Sequence, residues 1–126
     1  MSITAISVVS VPVSNQDRAK AFYVDTLGFE LVADQPMGPD QRWVQVVPKG
    51  AATSLTLVTW FETMPPGSLK GLVLECDDIQ ATHAELAARG VDFNSPIEQQ
   101  PWGTFTTLND PDGNGLVLQQ SARYSQ

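Results

Sequence analysis

Oxygen-bearing side chains at Asp110, Asp112 and Asn114, one cysteine (Cys76) and one histidine (His83) are the first residues in this chain to test for chemistry. Asp110 to Gly115 matches the first half of an EF-hand calcium loop, Asp-x-Asp-x-Asn-Gly. That loop needs a bidentate glutamate at its twelfth position, where this chain has Ser121. No amphipathic helix leads into the segment either, so calcium is set aside. Asp-Pro followed by two glycines reads instead as a tight turn, with Leu116, Val117 and Leu118 leaving it as a strand.

Nucleophilic chemistry has little to work with. Cys76 sits beside Glu75, Asp77 and Asp78, and nearby negative charge raises a thiol pKa and weakens the nucleophile. The serines lie in no Gly-x-Ser-x-Gly elbow, and a lone His83 supplies neither a triad nor a metal set. Its plain reading is a helix-face or surface histidine. Glu75 remains as a weak candidate catalytic acid or base, provided it lies desolvated. The plainer reading of Glu75 is a carboxylate hydrogen-bonded to neighbouring strands.

These residues must be held by the elements around them, and the elements come twice. Residues 6–13 alternate as a strand, with Val9, Val11 and Val13 on one face. Ser14 is placed to cap a helix whose apolar stripe is Ala19, Phe22, Tyr23 and Leu27, ended by Gly28. Strands are expected over 29–33, 43–47 and 54–60, and 63–68 reads as a linker. The order then restarts. A strand over 71–75 precedes a helix capped by Asp77 or Asp78, with Ile79, Thr82, His83 and Leu86 on its face and Gly90 at its end. Strands are expected near 91–93, over 104–108 and over 116–119, with a Pro-rich loop before Pro101. A shift of 62 puts Ala19 on Ala81 and Gly28 on Gly90; a shift of 61 puts Val44 on Phe105, Leu55 on Leu116 and Leu57 on Leu118. The expected fold is α+β: one domain over 1–126, built from two βαβββ modules (about 1–62 and 69–122). They would form a cupped mixed sheet with helices on its outer face.

The strands have two unlike faces. Val9, Val11, Val44, Val46, Leu55, Leu57, Leu72, Leu74, Phe105, Leu116 and Leu118 are assigned to an apolar face under the helices. The other face carries Val8, Ser10, Trp43, Gln45, Ser54, Thr56, Val58, Glu75, Thr104, Thr106, Val117 and Gln119. One glutamate is too little charge for a face fully open to water. The mixture fits a partly covered pocket or, alternatively, a subunit contact. Ser10, Trp43, Gln45, Thr56, Trp60, Glu75, Trp102, Thr106 and Gln119 are the candidate ligand-binding residues. Aromatic ligands would stack on the tryptophans, and the amides and hydroxyls would orient them.

The segments Val13-Ser-Asn-Gln-Asp-Arg-Ala-Lys-Ala-Phe-Tyr23, Leu27-Gly-Phe29, Glu75-Cys-Asp-Asp-Ile79, Ala88-Arg-Gly90 and Asp110-Pro-Asp-Gly-Asn114 together resemble the vicinal oxygen chelate superfamily. That superfamily includes glyoxalase I, extradiol dioxygenases and bleomycin-resistance proteins. The resemblance spans both modules and implies a cupped site, often within a homodimer. It also implies four metal-ligand positions, which fall here on Val8, Thr56, Gly71 and Val117. Zinc, iron or nickel needs imidazole, carboxylate or thiolate donors, and Thr56 offers at best a weak neutral oxygen. No metal and no cofactor is therefore expected.

A net charge of −7, from 14 acidic and 7 basic side chains, argues against nucleic acid as a partner. No apolar run approaches the ~20 residues of a membrane span. Met1-Ser-Ile-Thr-Ala lacks the basic start of a signal peptide, and one cysteine fits a reducing compartment, so a cytoplasmic setting is expected. The leading expectation is a metal-free protein, a homodimer, that binds an aromatic or antibiotic-like small molecule. The alternatives are a lyase, isomerase or dioxygenase with an atypical metal site or with Glu75 as acid/base, and a dimer whose cup is only a subunit contact.

Overall fold

The computed structural model describes residues 2–122, so the ends of the expected 1–126 span lie outside the described residues. The first module begins with strand β1, Val8–Pro12. Helix α1 follows over Gln16–Lys20 and continues through Ala21–Thr26 with its ladder widened to i→i+5 bonds, such as Leu27 N–H to Phe22 C=O at 2.9 Å. Strands β2 (Glu30–Pro36), β3 (Arg42–Val47) and β4 (Ser54–Val58) complete it. The second module repeats the order with β5 (Leu72–Glu75), α2 (Ile79–Ala88), β6 (Glu98–Gln100), β7 (Gly103–Asn109) and β8 (Gly115–Ser121). The βαβββ repeat is present as expected.

Each module makes its own four-stranded mixed sheet, ordered β1-β4-β3-β2 and β5-β8-β7-β6. The first and last strands of each module pair in parallel, β1 with β4 and β5 with β8, and the remaining pairs are antiparallel. β1 and β5 each stand at an edge of their sheet.

Local chemistry explains the helix ends, with one correction. Asn15, not Ser14, caps α1, its Oδ1 accepting from Arg18 N–H at 2.9 Å. Ser14 is drawn away, because its Oγ donates to Asp112 Oδ1 at 2.6 Å. Asp78 caps α2 by accepting from Ala81 N–H at 3.1 Å. Both helices are followed by a glycine at positive φ, Gly28 at 83° and Gly90 at 91°, which ends a helix without the Cβ penalty.

Two further corrections concern the second module. Residues 91–93 form no strand; Phe93 makes only an isolated bridge to Leu108, and the module's second strand lies later, at Glu98–Gln100. The register of β7 also differs from expectation by one residue. Val46 faces Leu55 in the first module and Leu108 faces Leu116 in the second. The shift is therefore 62 for β3 onto β7 but 61 for β4 onto β8. The cause is the hairpin between them, which takes residues 48–53 in the first module and only 110–114 in the second. A one-residue slip exchanges the faces of a strand. Phe105 consequently joins the polar face, and Thr104 and Thr106 join the apolar one.

The apolar faces of both sheets and both helices merge in one core. Val11, Val44 and Leu57 come from the first sheet, Leu108, Leu116 and Leu118 from the second, and Ala19, Tyr23, Ile79 and Leu86 from the helices. Because strand residues alternate sides, the polar face of each sheet is turned away from that core.

The second hairpin locks the modules together. Tyr23 Oη donates to Asp110 Oδ2 at 3.0 Å. Asn114 Nδ2 donates to Pro12 C=O and to Asp110 Oδ2, each at 2.8 Å, while Asn114 Oδ1 accepts from Leu69 N–H at 3.1 Å. Asp112 Oδ1 takes the Ser14 N–H and the Arg18 guanidinium, both at 3.1 Å. The Asp-Pro-Asp-Gly-Asn turn thus works as a clasp. The linker passes so near that a Cβ at Gly67, itself at φ 83°, would collide with the Asp112 carbonyl.

Candidate functional site

On the polar face of the first sheet, register sets Ser10 beside Thr56 and Thr56 beside Gln45. Trp43 lies two residues along β3 on the same face, and its Nε1–H donates to Gln45 Oε1 at 2.9 Å. Ser10, Trp43 and Gln45 are all half-buried. Thr56 is different: it is only 2% exposed, and its Oγ1 finds no hydrogen-bond partner. It shares that face with Ser10 and Gln45 but is itself closed to solvent. Trp60 follows the end of β4, half-buried and tilted against Phe61 with ring centres 6.1 Å apart.

The second sheet carries a more open set. Phe105, Gln119 and Glu75 stand side by side on three strands, since Phe105 pairs with Gln119 and Gln119 with Glu75. Trp102, in the turn between β6 and β7, is 50% exposed and stacks on Phe105 at 5.2 Å and 26°. Glu75 is fixed in place. Its Oε1 accepts from Ser121 Oγ at 2.7 Å and from Gln119 Nε2 at 3.0 Å, and its Oε2 accepts from Ser121 N–H at 2.8 Å. The result is a flat aromatic platform beside an exposed, oriented carboxylate. The hydrogen-bonded reading of Glu75 describes its surroundings, and its side chain is exposed in the single chain.

Thr106 is separated from this set, which corrects the expected grouping. It pairs with Leu118 on the apolar face, is fully buried, and donates to Ser95 C=O at 2.8 Å. Phe105 and Ser121 are the residues that the sequence reading missed. Phe105 could have been found by aligning Leu108, rather than Phe105, with the valines of β3. Ser121 carried no signal beyond its place at the end of the last strand.

The four positions where the resemblance implies metal ligands do share the polar faces, Val8 and Thr56 on the first sheet and Val117 on the second, with Gly71 entering β5. Two valines and a glycine have no donor atom, and the Thr56 hydroxyl is buried. These positions do not fit a divalent metal. Among the described residues no group of three or more His, Cys, Asp or Glu side chains is placed to hold one. His83 stacks on Phe93 at 4.0 Å and 26°, a packing role on α2. Cys76 is half-buried; burial, and then the charges of Glu75 and Asp77, push its thiol pKa up, partly opposed by a hydrogen bond from Thr82. The direction agrees with the sequence reading, but the larger cause is burial. No helix among the described residues is long and apolar enough to cross a membrane.

Comparison with known proteins gives the family. The model of the Glyoxalase/Bleomycin resistance protein/Dioxygenase superfamily matches residues 5–118. The chain is 54% identical to TnmS3, an antibiotic binding protein from Streptomyces sp. CB03234, whose crystal structure superposes with a TM-score of 0.91 over 97% of this chain and 99% of that one. A crystal structure of a superfamily member from Sphaerobacter thermophilus DSM 20745 is 40% identical, with a TM-score of 0.88 over 94% and 98% of the two chains. The Uncharacterized protein YetH of Bacillus subtilis (strain 168) is 40% identical, over 94% of this chain and 99% of its own length. With the βαβββ repeat and the Asp-Pro-Asp-Gly-Asn clasp in place, this chain belongs to the glyoxalase/bleomycin resistance protein/dioxygenase superfamily.

Proposed function

We propose that this protein binds an antibiotic-like small molecule with a planar aromatic part, on its polar sheet faces, without a metal and without turnover. The observation that carries this reading is the exposed Trp102–Phe105 stack beside the oriented Glu75 carboxylate. A flat ring gains about 0.5–1.5 kcal/mol from such a platform beyond simple burial. A hydroxyl or amine on that ring would meet Glu75, and Trp43 and Gln45 supply a similar pairing on the other sheet. The resemblance to TnmS3, described as antibiotic binding, supports the same reading.

Two half-sites on two outward faces suit a homodimer. The edges of β1 and β5 are the natural seam, because each has a pairing partner on one side only within its sheet. Joining the first module of one copy to the second module of another along that seam would curl two polar faces into one cup.

Intrinsic fluorescence tests the binding. Titration with planar aromatic antibiotics, for example anthraquinones, should quench the tryptophans saturably. Trp102→Leu should weaken the tightest binder by about 2- to 12-fold, the factor equivalent to one good stack. Binding unchanged in that variant, or a panel in which no compound quenches saturably, overturns the proposal.

A further inference from the structure

A cavity of about 460 Å³ lies between the modules, and the repeat explains why it is there. Where the first helix meets the second hairpin, Tyr23 fills the space and bonds Asp110, and Asn114 reaches back to Pro12. The repeat-related contact is that of the second helix with the first hairpin. A shift of 62 puts Glu85 at the place of Tyr23 and Pro48 at that of Asp110; a shift of 61 puts Thr53 at that of Asn114. Glu85 is exposed and turns to Arg89 at 2.6 Å. Nothing there replaces the buried tyrosine, and the junction stays open.

The walls are mainly hydrocarbon, with Leu55 and Phe29 from the first module and Leu74, Leu86 and Leu118 from the second. The two charged residues that border the cavity, Lys49 and Glu75, are both exposed, which puts them at its mouth. Thr82 and Cys76 are polar groups that line it, and burial pushes the Cys76 thiol pKa up. This volume falls in the range of small-molecule pockets, about 300–1,000 Å³. Pockets with mainly hydrocarbon walls favour apolar guests.

We propose that the module junction is a second binding site, apart from the Trp102–Phe105 platform and meeting it only at Glu75, for an uncharged and largely hydrocarbon small molecule. Leucine walls select against charge, because an ion moved there loses its hydration without gaining a partner. The Thr82 hydroxyl gives such a guest one place to anchor a single oxygen. A second copy of the chain, docked along the β1 and β5 edges, is the competing occupant.

Cys76 is the chain's one cysteine and borders the cavity, so it reports on occupancy without any substitution. The probe is N-phenyl-1-naphthylamine, an uncharged fluorophore, and the readout is the rate of Cys76 alkylation by N-ethylmaleimide, followed by mass spectrometry. Saturating probe should slow alkylation at least tenfold, with the same half-saturation as its fluorescence rise. Leu86→Trp, which fills the cavity, should weaken the probe at least tenfold, whereas Trp102→Leu should leave it unchanged. Alkylation at an unchanged rate overturns the proposal, whatever the Leu86 variant does. So does a thiol that is closed at high protein concentration and opens on dilution, since a second copy would then fill the space. Because Trp102 lies outside the cavity, failure here leaves the aromatic site on the polar face standing.

Discussion

The hydroxyl of Tyr23 donates to Oδ2 of Asp110 at 3.0 Å, a buried bond between residues 87 apart in the chain. It joins the first helix to the second module's hairpin. Tyr23→Phe removes the donor and leaves a buried carboxylate short of one partner. Hydrogen bonds to charged groups contribute about 1.5–3 kcal/mol, so urea unfolding should show a loss of that size. A loss below about 0.5 kcal/mol would mean that Asn114 and the backbone satisfy Asp110 unaided.

The same contact predicts an alkaline limit. Burial, and then the charge of Asp110, push the Tyr23 phenol pKa far up in the folded state. A raised folded value stabilises the protein below the unfolded value, about 10, and that contribution is lost as pH rises beyond it. Wild type should therefore lose stability above about pH 10 more steeply than Tyr23→Phe, and the gap between them should narrow. Parallel thermal melts at pH 8 to 11 measure this. Parallel slopes would show that the phenol does not ionise on unfolding.

Asp34 governs the acid side. Its Oδ1 accepts from Arg42 Nε at 2.6 Å, and its Oδ2 from Arg42 Nη2 and Lys20 Nζ, each at 2.7 Å. Those bonds, Arg42's first, hold its carboxyl well below the usual range. The stabilisation is present above the unfolded value of about 3.9 and disappears as pH falls through it toward the folded value. The pair is partly solvated, so Asp34→Asn should cost only about 1 kcal/mol at pH 7. That difference should shrink progressively in acid-unfolding curves as pH falls below the unfolded value and be gone only below the folded one, and a difference that does not shrink at all between about pH 5 and pH 2 would point to packing instead.

How much of this was legible in the sequence depended on what fixes each feature. Ala19 and Ala81, or Gly28 and Gly90, sit at local positions that helix geometry alone prescribes, and the repeat could be read from them. The clasp at Asp110–Asn114 was visible as a turn, because proline and glycine act locally. Its partners Tyr23 and Pro12 were not, since nothing local links residues that far apart. Phe105 was put on the wrong face because the second hairpin is one residue shorter than the first, and a single-residue change inverts a strand. Thr56 was placed on the correct face, but its burial depends on neighbours from two other strands. Ser121, which fixes Glu75, acts only through the fold.

Four family ligand positions that offer a single buried hydroxyl between them predict a protein indifferent to metals. After incubation with zinc, nickel, manganese or ferrous iron and desalting, no stoichiometric metal should remain, and ligand binding should survive chelator. One equivalent retained per chain would move the enzyme reading ahead of the binding one.

Thr56→Val offers a test that separates stability from binding. The Thr56 Oγ1 is buried with no partner, an arrangement that costs about 1–3 kcal/mol of desolvation relative to a matched apolar group. Valine has nearly the same shape and carries no hydroxyl to strand. The variant should therefore be as stable as wild type or more so, by up to about 1 kcal/mol in urea unfolding. Because Thr56 is closed to solvent whereas Trp43 and Gln45 are half-buried, aromatic-ligand affinity should stay within about twofold, less than about half a kcal/mol. A variant that is more stable yet binds at least tenfold worse would show that the hydroxyl is reserved for the ligand. The first sheet would then have to open to expose it.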